Sequence, residues 1–253
     1  MTATTPTNTA SAHTGRLRLV VERQGDRSVL VCAEGHTPYA ARAVPGPAGW
    51  LRVVLVQTIA GPLVGDRTEI ELEIGPDAAL EVVANGATLA FPSAAPSTQD
   101  VRCAVGERGR LAWRPEPLIL AAGCDLEASF HLSLAAGAAA FTRELVVLGR
   151  HGEQAGRYRS RLRCEHEGRP LLHDAIDVDA QGLAAGSGAL LGGAGAFASL
   201  ALLGTAPGEP VDAEEMELAG PGRVLRALAP GPAALNARIA PAETAYLAAL
   251  GLR

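Results

Sequence analysis

Residues 71–83 read ELEIGPDAALEVV and residues 102–114 read RCAVGERGRLAWR. The plan returns at 131–143, HLSLAAGAAAFTR, and at 161–173, RLRCEHEGRPLLH, so the starts lie 31, 29 and 30 residues apart. Each segment opens on a short run with alternating apolar positions, crosses a turn that holds glycine, and leaves on a second apolar run. Alternation puts successive side chains on opposite faces of a strand. The turn glycines Gly75, Gly106, Gly109, Gly137 and Gly168 tolerate the positive φ that tight reversals often need. The unit is therefore strand–turn–strand. So short a unit cannot bury both of its faces, whereas stacked copies cover one another. The repeat predicts a mainly β chain with a stacked, β-helix-like, two-layer architecture over at least residues 51–178. Further strands are expected at 15–23, 28–33 and 51–59. A run of unrelated hairpins in an ordinary β-sandwich is the alternative.

The rest of the chain sets the boundaries of that stack. Residues 1–14 are mostly Thr, Ala, Ser and Asn and read as a disordered tail, without the basic start and apolar stretch of a signal peptide. Residues 15–253 are expected to form one β-rich domain whose last part, about 210–253, is helical. Its short Ala/Leu/Glu-rich pieces are 213–218, 222–228 and 242–250, and Pro241 is placed near the start of the last helix. The most apolar window, 183–203, carries five glycines, Gly186, Gly188, Gly192, Gly193 and Gly195. It reads as a loop followed by a buried segment and not as a membrane span.

Composition narrows the function classes. All 22 basic residues are arginine, which removes Schiff-base chemistry and the lysine of a phosphate loop. A formal charge of −5 argues against nucleic-acid binding. The aromatic share is 4 %, a poor supply for a glycan-binding platform. Cys32, Cys103, Cys124 and Cys164 are widely spaced and read as free thiols in a reducing compartment, so a soluble cytoplasmic protein is expected. No nucleophile elbow or zinc helix is present, and the expectation is a protein that is not an enzyme.

A few residues carry metal-ligand chemistry. Cys164-x-His166 on a predicted strand would point both side chains to one face, although two ligands fall short of a closed site. Asp66 sits in the bend GPLVGDR (61–67), which ends in the acid–base pair Asp66–Arg67, and Glu144 interrupts the apolar run AAAFTRELVVLGR (138–150). A carboxylate inside such a strand has to be paired or wet. Arg67, Arg143 and Arg150 are its candidate charge partners. The two readings are a salt-bridged strand charge and the polar lining of an internal passage for a cation.

Four stretches in order, 61–82, 109–126, 130–153 and 160–174, resemble the urease accessory protein UreD family, called UreH in some systems. Gly61–Arg67 is similar to the family's glycine–Asp bend, Trp113–Ile119 to its W-x-P-x-P-x-I signature, and Leu145–Arg150 to its L-x-x-x-G-R run. Within VVANGATLAFPS (82–93), Leu89 and Phe91 stand where the family has Lys and Tyr, and Pro62 replaces a second Gly of the bend.

The resemblance implies a non-catalytic scaffold that binds apo-urease and a UreF partner, with the GTPase UreG reached through UreF, in a larger assembly that includes dimeric forms. It implies no permanent cofactor and nickel in transit through a polar tunnel; the net charge and the lack of a long apolar window add the expectation of neither nucleic-acid nor membrane binding. Carried over, Asp66, Glu144, His173 and Asp174 become the tunnel or nickel-path candidates, with Cys164 and His166 behind them. A β-solenoid that binds another protein or a glycan is the competing reading.

Overall fold

The computed structural model describes residues 12–36, 38–179, 191–205 and 208–252. The expected tail at 1–14 falls mostly outside them; of its residues, Thr14 already opens the first strand. The hairpin of β1 (Thr14–Gln24) and β2 (Arg27–His36) begins one sheet, and that of β3 (Tyr39–Pro45) and β4 (Leu51–Gln57) begins a second. The chain then coils between the two sheets. β5 (Arg67–Ile74) joins sheet one and β6 (Ala79–Ala84) joins sheet two, and the short β7 (Thr88–Ala90) leads back. The next coil is β8 (Ser97–Val105), β9 (Arg110–Arg114) and β10 (Leu118–Leu120), and the third is β11 (Asp125–Leu134) and β12 (Ala139–Val147). β13 (Arg157–His166) and β14 (Arg169–Val178) close sheet one as a hairpin. β15 (Ala196–Leu203), β16 (Met216–Glu217) and β17 (Gly222–Ala229) complete sheet two, and α1 (Pro232–Ala249) covers its outer face.

Coil lies on coil through parallel pairing, β1–β5–β8–β11–β13 in sheet one and β4–β6–β9–β12 in sheet two. The stacked, two-layer reading of the repeat therefore holds. Its register holds as well: Glu71, Arg102 and His131, the first residues of the first three copies, are neighbours on adjacent strands. The fourth copy is different. His131 pairs with Arg163 and not with Arg161, and the segment makes an antiparallel hairpin inside sheet one.

The turns are arches from one sheet to the other, and they stack by backbone hydrogen bonds. Gly106 N–H donates to Ile74 O at 2.7 Å, Asp77 N–H to Glu107 O at 2.9 Å, and Arg108 N–H to Ala136 O at 3.0 Å. The left-handed residue is the third of each arch: Asp77 (φ 57°), Arg108 (φ 55°) and Gly137 (φ 65°). The positive φ expected at Gly75 and Gly106 is thus displaced two residues along. Asp77 and Arg108 are also ion-paired across stacked turns at 2.6 Å.

The inward side chains of the two sheets form the main core, led by Leu19, Ile70, Leu72, Leu80, Leu111 and Leu132. A second core lies between sheet two and α1, where Leu235, Ile239, Ala242 and Tyr246 at helical spacing meet Phe141, Leu200 and Leu225. β15 is buried at every position because the inter-sheet core covers one face and α1 the other. That double burial explains the apolar end of the 183–203 window; residues 183–190 lie outside the described residues.

The expected helical stretch at about 210–253 is corrected in its first half. Gly222–Ala229 is a strand that pairs antiparallel with β15. An Ala/Leu-rich octamer fits a buried strand as readily as a helix, and the partner strand decides between them. Pro232, not Pro241, opens α1, and Pro241 lies inside it. Among the described residues no helix is long and apolar enough to cross a membrane.

Candidate functional site

Strand parity builds a polar cavity between the sheets. On β12 the odd residues Phe141 and Leu145 face α1, so the even residues Thr142 and Glu144 face sheet one. On β13, Tyr158 and Ser160 point inward ahead of Leu162 and Cys164. On β14 and β15 the corresponding residues are Asp174 and Ser199. These side chains, with Gln99 of β8, line the polar end of a cavity of about 150 Å³. The opposite end is apolar, with Leu55, Ile70 and Val101 and the edge-to-face pair Trp113 and Phe130, whose rings are 5.3 Å apart. The space is enough for several waters, and the polar end has the groups to hold them.

Glu144 is the central charge. The Tyr158 hydroxyl donates to its Oε1 at 2.5 Å, and Ser160 is also hydrogen-bonded to it. Protein surrounds the carboxylate, yet Glu144 is only half-buried; its uncovered surface faces the cavity. Burial raises its pKa above the ordinary 4.5 and the Asp174 charge adds to this, while the two hydroxyls and Arg226 pull the other way. The buried Tyr158 hydroxyl is held well above its usual range, by desolvation first and by Glu144 second.

The raised pKa has a consequence for stability. The folded state takes up a proton at Glu144 more readily than the unfolded chain does. The group's contribution is therefore fully favourable below its unfolded pKa and is lost as pH rises through the folded one. Glu144→Gln keeps the shape and the acceptor for Tyr158 but removes the charge. It should unfold at a higher temperature than wild type at about pH 7, and the advantage should fade towards about pH 4. Thermal unfolding across that range measures it, and an advantage that grew on acidification would refute the assignment.

Of the four path candidates the structure brings two together, Glu144 and Asp174, both in the cavity lining. Asp174 also carries an ion pair with Arg226 of β17. His173 is on the outer face of sheet one, where its Nε2 accepts from Arg163 Nε at 3.3 Å. Asp66 is buried away from the cavity. Its Oδ1 accepts from His13 N–H and its Oδ2 from Leu63 N–H, both at 2.8 Å, so it brackets the 61–66 bend against β1. Removing it would strand two backbone donors, a structural loss in place of the neutral stability expected of a passage residue.

The remaining candidates are placed as plainly. Cys164 is buried in the main core, and burial pushes its thiol up to about 12, far from the thiolate that binds metal. His166 Nε2 lies 3.9 Å from Glu167, beyond a β-bulge at Cys164/Glu165. Among the described residues no three His, Cys, Asp or Glu side chains are grouped to hold a metal. None of the expected partners pairs with Glu144. Arg143 is bound to Glu243 at 3.0 Å and to the carbonyls of Arg114 and Pro115, Arg150 is paired with Glu153, and Arg67 is exposed. The four cysteines are free.

Thr142, Tyr158, Ser160, Ser199 and Arg226 were not singled out from the sequence. The readable signal was polar residues at inward parity: Thr68, Gln99 and Ser160 lie in one cross-strand row through sheet one, with the small Ala128 between the last two.

A stack of parallel coils with a carboxylate-bearing cavity between its sheets defines a class of β-solenoid-like proteins whose site suits holding or passing a small polar species. The family described as UreD urease accessory protein matches residues 13–250. Urease accessory protein UreD 3 of Streptomyces griseus subsp. griseus is 39 % identical over 234 residues, 88 % of each chain. Urease accessory protein UreD of Streptomyces coelicolor is 38 % identical over 216 residues, 85 % of this chain and 84 % of its own. The UreD of Parafrankia sp. is 32 % identical over 254 residues, 88 % and 86 %. The chain belongs to the UreD urease accessory protein family.

Proposed function

We propose that this chain serves urease maturation as a cytoplasmic, non-catalytic scaffold. It engages apo-urease and a UreF-type partner, reaches a UreG-type GTPase through that partner, and works in a larger, dimer-forming assembly. Nickel passes through the inter-sheet cavity and is not retained. What supports the passage is Glu144, a carboxylate that opens onto the cavity and is held by hydroxyls in place of a cation. Oxygen donors and water hold Ni²⁺ more loosely than thiolate or imidazole would, which suits passage over storage.

The competing glycan-binding reading needs an exposed aromatic platform. The two Trp, three Tyr and four Phe are all buried or half-buried. The test is co-expression of urease with UreF, UreG and either this chain or its Glu144→Ala variant. Nickel content and urease activity should fall several-fold with the variant, while its co-purification with UreF is unchanged. Equal nickel loading by both would overturn the passage, and failure of the wild-type chain to co-purify with UreF or apo-urease would overturn the scaffold.

A further inference from the structure

Glu144, Ser199 and Arg226 occupy one cross-strand row of sheet two, on β12, β15 and β17. Neighbouring strands are about 4.8 Å apart, so Arg226 stands two strand spacings, roughly 10 Å, from Glu144. Its guanidinium does not turn back along the row. It crosses to sheet one and binds Asp174 Oδ1 on β14, the edge strand of that sheet. Among the described residues no strand pairing joins the two sheets between β14 and β17, and this ion pair spans them there. The two partners are graded in exposure: the Asp174 side chain is 17 % exposed and lines the cavity, whereas that of Arg226 is 45 % exposed and lies outside the lining. Both charges also act on Glu144 across the cavity, Asp174 raising its pKa and Arg226 lowering it. Of the arginines in the cavity lining, Arg143 is engaged by Glu243 and two carbonyls, and Arg161 is exposed, at the parity of β13 opposite to Ser160 and Leu162. The cation set over the inner carboxylates is thus Arg226.

We propose that Arg226 is a latch on this cavity: its guanidinium occupies Asp174 at the mouth until an entering divalent cation displaces it. The proposal rests on the cavity being a cation passage. A half-exposed ion pair is weak and screened, so a dication competes with it readily. The latch makes the resting mouth less attractive to monovalent ions while leaving the carboxylates in place for Ni²⁺. It also ties the two sheets together.

The probe is Ni²⁺ alone, titrated by calorimetry at low ionic strength into full-length wild type, Arg226→Gln, Arg226→Lys, Asp174→Asn and the Arg226→Gln/Asp174→Asn double variant. Thermal unfolding checks that each is folded. Arg226→Gln should bind Ni²⁺ about five- to tenfold more tightly than wild type. Arg226→Lys, which keeps a cation over Asp174, should restore the wild-type value, and the double variant should lose the gain. Binding by Arg226→Gln within twofold of wild type, or a gain that survives in the double variant, would overturn the latch. The urease assay separates the two ideas. Loss of nickel loading with Glu144→Ala but wild-type Ni²⁺ affinity for Arg226→Gln rejects the latch alone, and full loading with Glu144→Ala rejects the passage beneath it.

Discussion

Glu81→Ala should lower the unfolding free energy by about 3 kcal/mol. Glu81 is fully buried on the outer face of sheet two. Its carboxylate is held by Arg52 at 2.6 Å and Arg114 at 2.8 Å. Arg114 continues to Glu243 at 3.1 Å, and Glu243 to Arg143 at 3.0 Å. Five alternating charges therefore run from β4 through β6 and β9 to α1 and back to β12. Deleting the buried acid leaves two guanidinium groups facing each other with their shared counter-charge gone. They are partly exposed, at 39 % and 26 %, so water recovers part of the loss and the lower end of the usual range for a broken buried pair applies. Denaturant unfolding gives the value, and a change below about 1 kcal/mol would show the ladder to be dispensable. Because Glu81 and Glu243 share Arg114, the Glu81→Ala/Glu243→Ala double variant should depart from additivity.

Gly204→Ala should destabilise by about 3 kcal/mol or more, for two independent reasons. Its backbone is left-handed, at φ +79°. A Cβ there would also stand 2.3 Å from the carbonyl oxygen of Ala138 and 2.8 Å from Leu134 Cδ1. The first contact is with backbone in the arch of the third coil, so no rotamer change relieves it. Gly204 also donates its N–H to Pro221 O at 2.8 Å, which ties the loop leading to β17 to the end of β15. The strand pair β15–β17 would have to shift on the stack, with the seat of α1 following. A denaturation midpoint within error of wild type would disprove this reading of the contact.

The stack was legible because its cause is local and repeated. Alternation of period two fixes which side chains face inward, and a period of about 30 residues fixes how coils superpose. The first three copies, starting at Glu71, Arg102 and His131, were aligned in sequence in the register they adopt in space. The sequence also marked Glu144 as a carboxylate out of place in an apolar strand, and its environment bears out that oddity. Asp66 was marked as the acid of a Gly/Pro-rich bend, and there it accepts two backbone N–H bonds, because a short acidic side chain beside such a bend caps backbone amides readily.

What the sequence by itself determined is the class of architecture, the inward and outward faces of each coil, and the family. The tertiary structure alone decided which inward polar residues meet: Thr142, Glu144, Tyr158, Ser160, Asp174 and Ser199 come from four strands, with Arg226 on a fifth. It alone decided that 222–229 is a strand and that the fourth repeat turns back within its own sheet. The physical reason is range. Parity and turn chemistry act over a few residues, whereas the meeting of two sheets depends on registers set by strands far apart in the chain. The energetics of a buried carboxylate depend on what that meeting leaves around it.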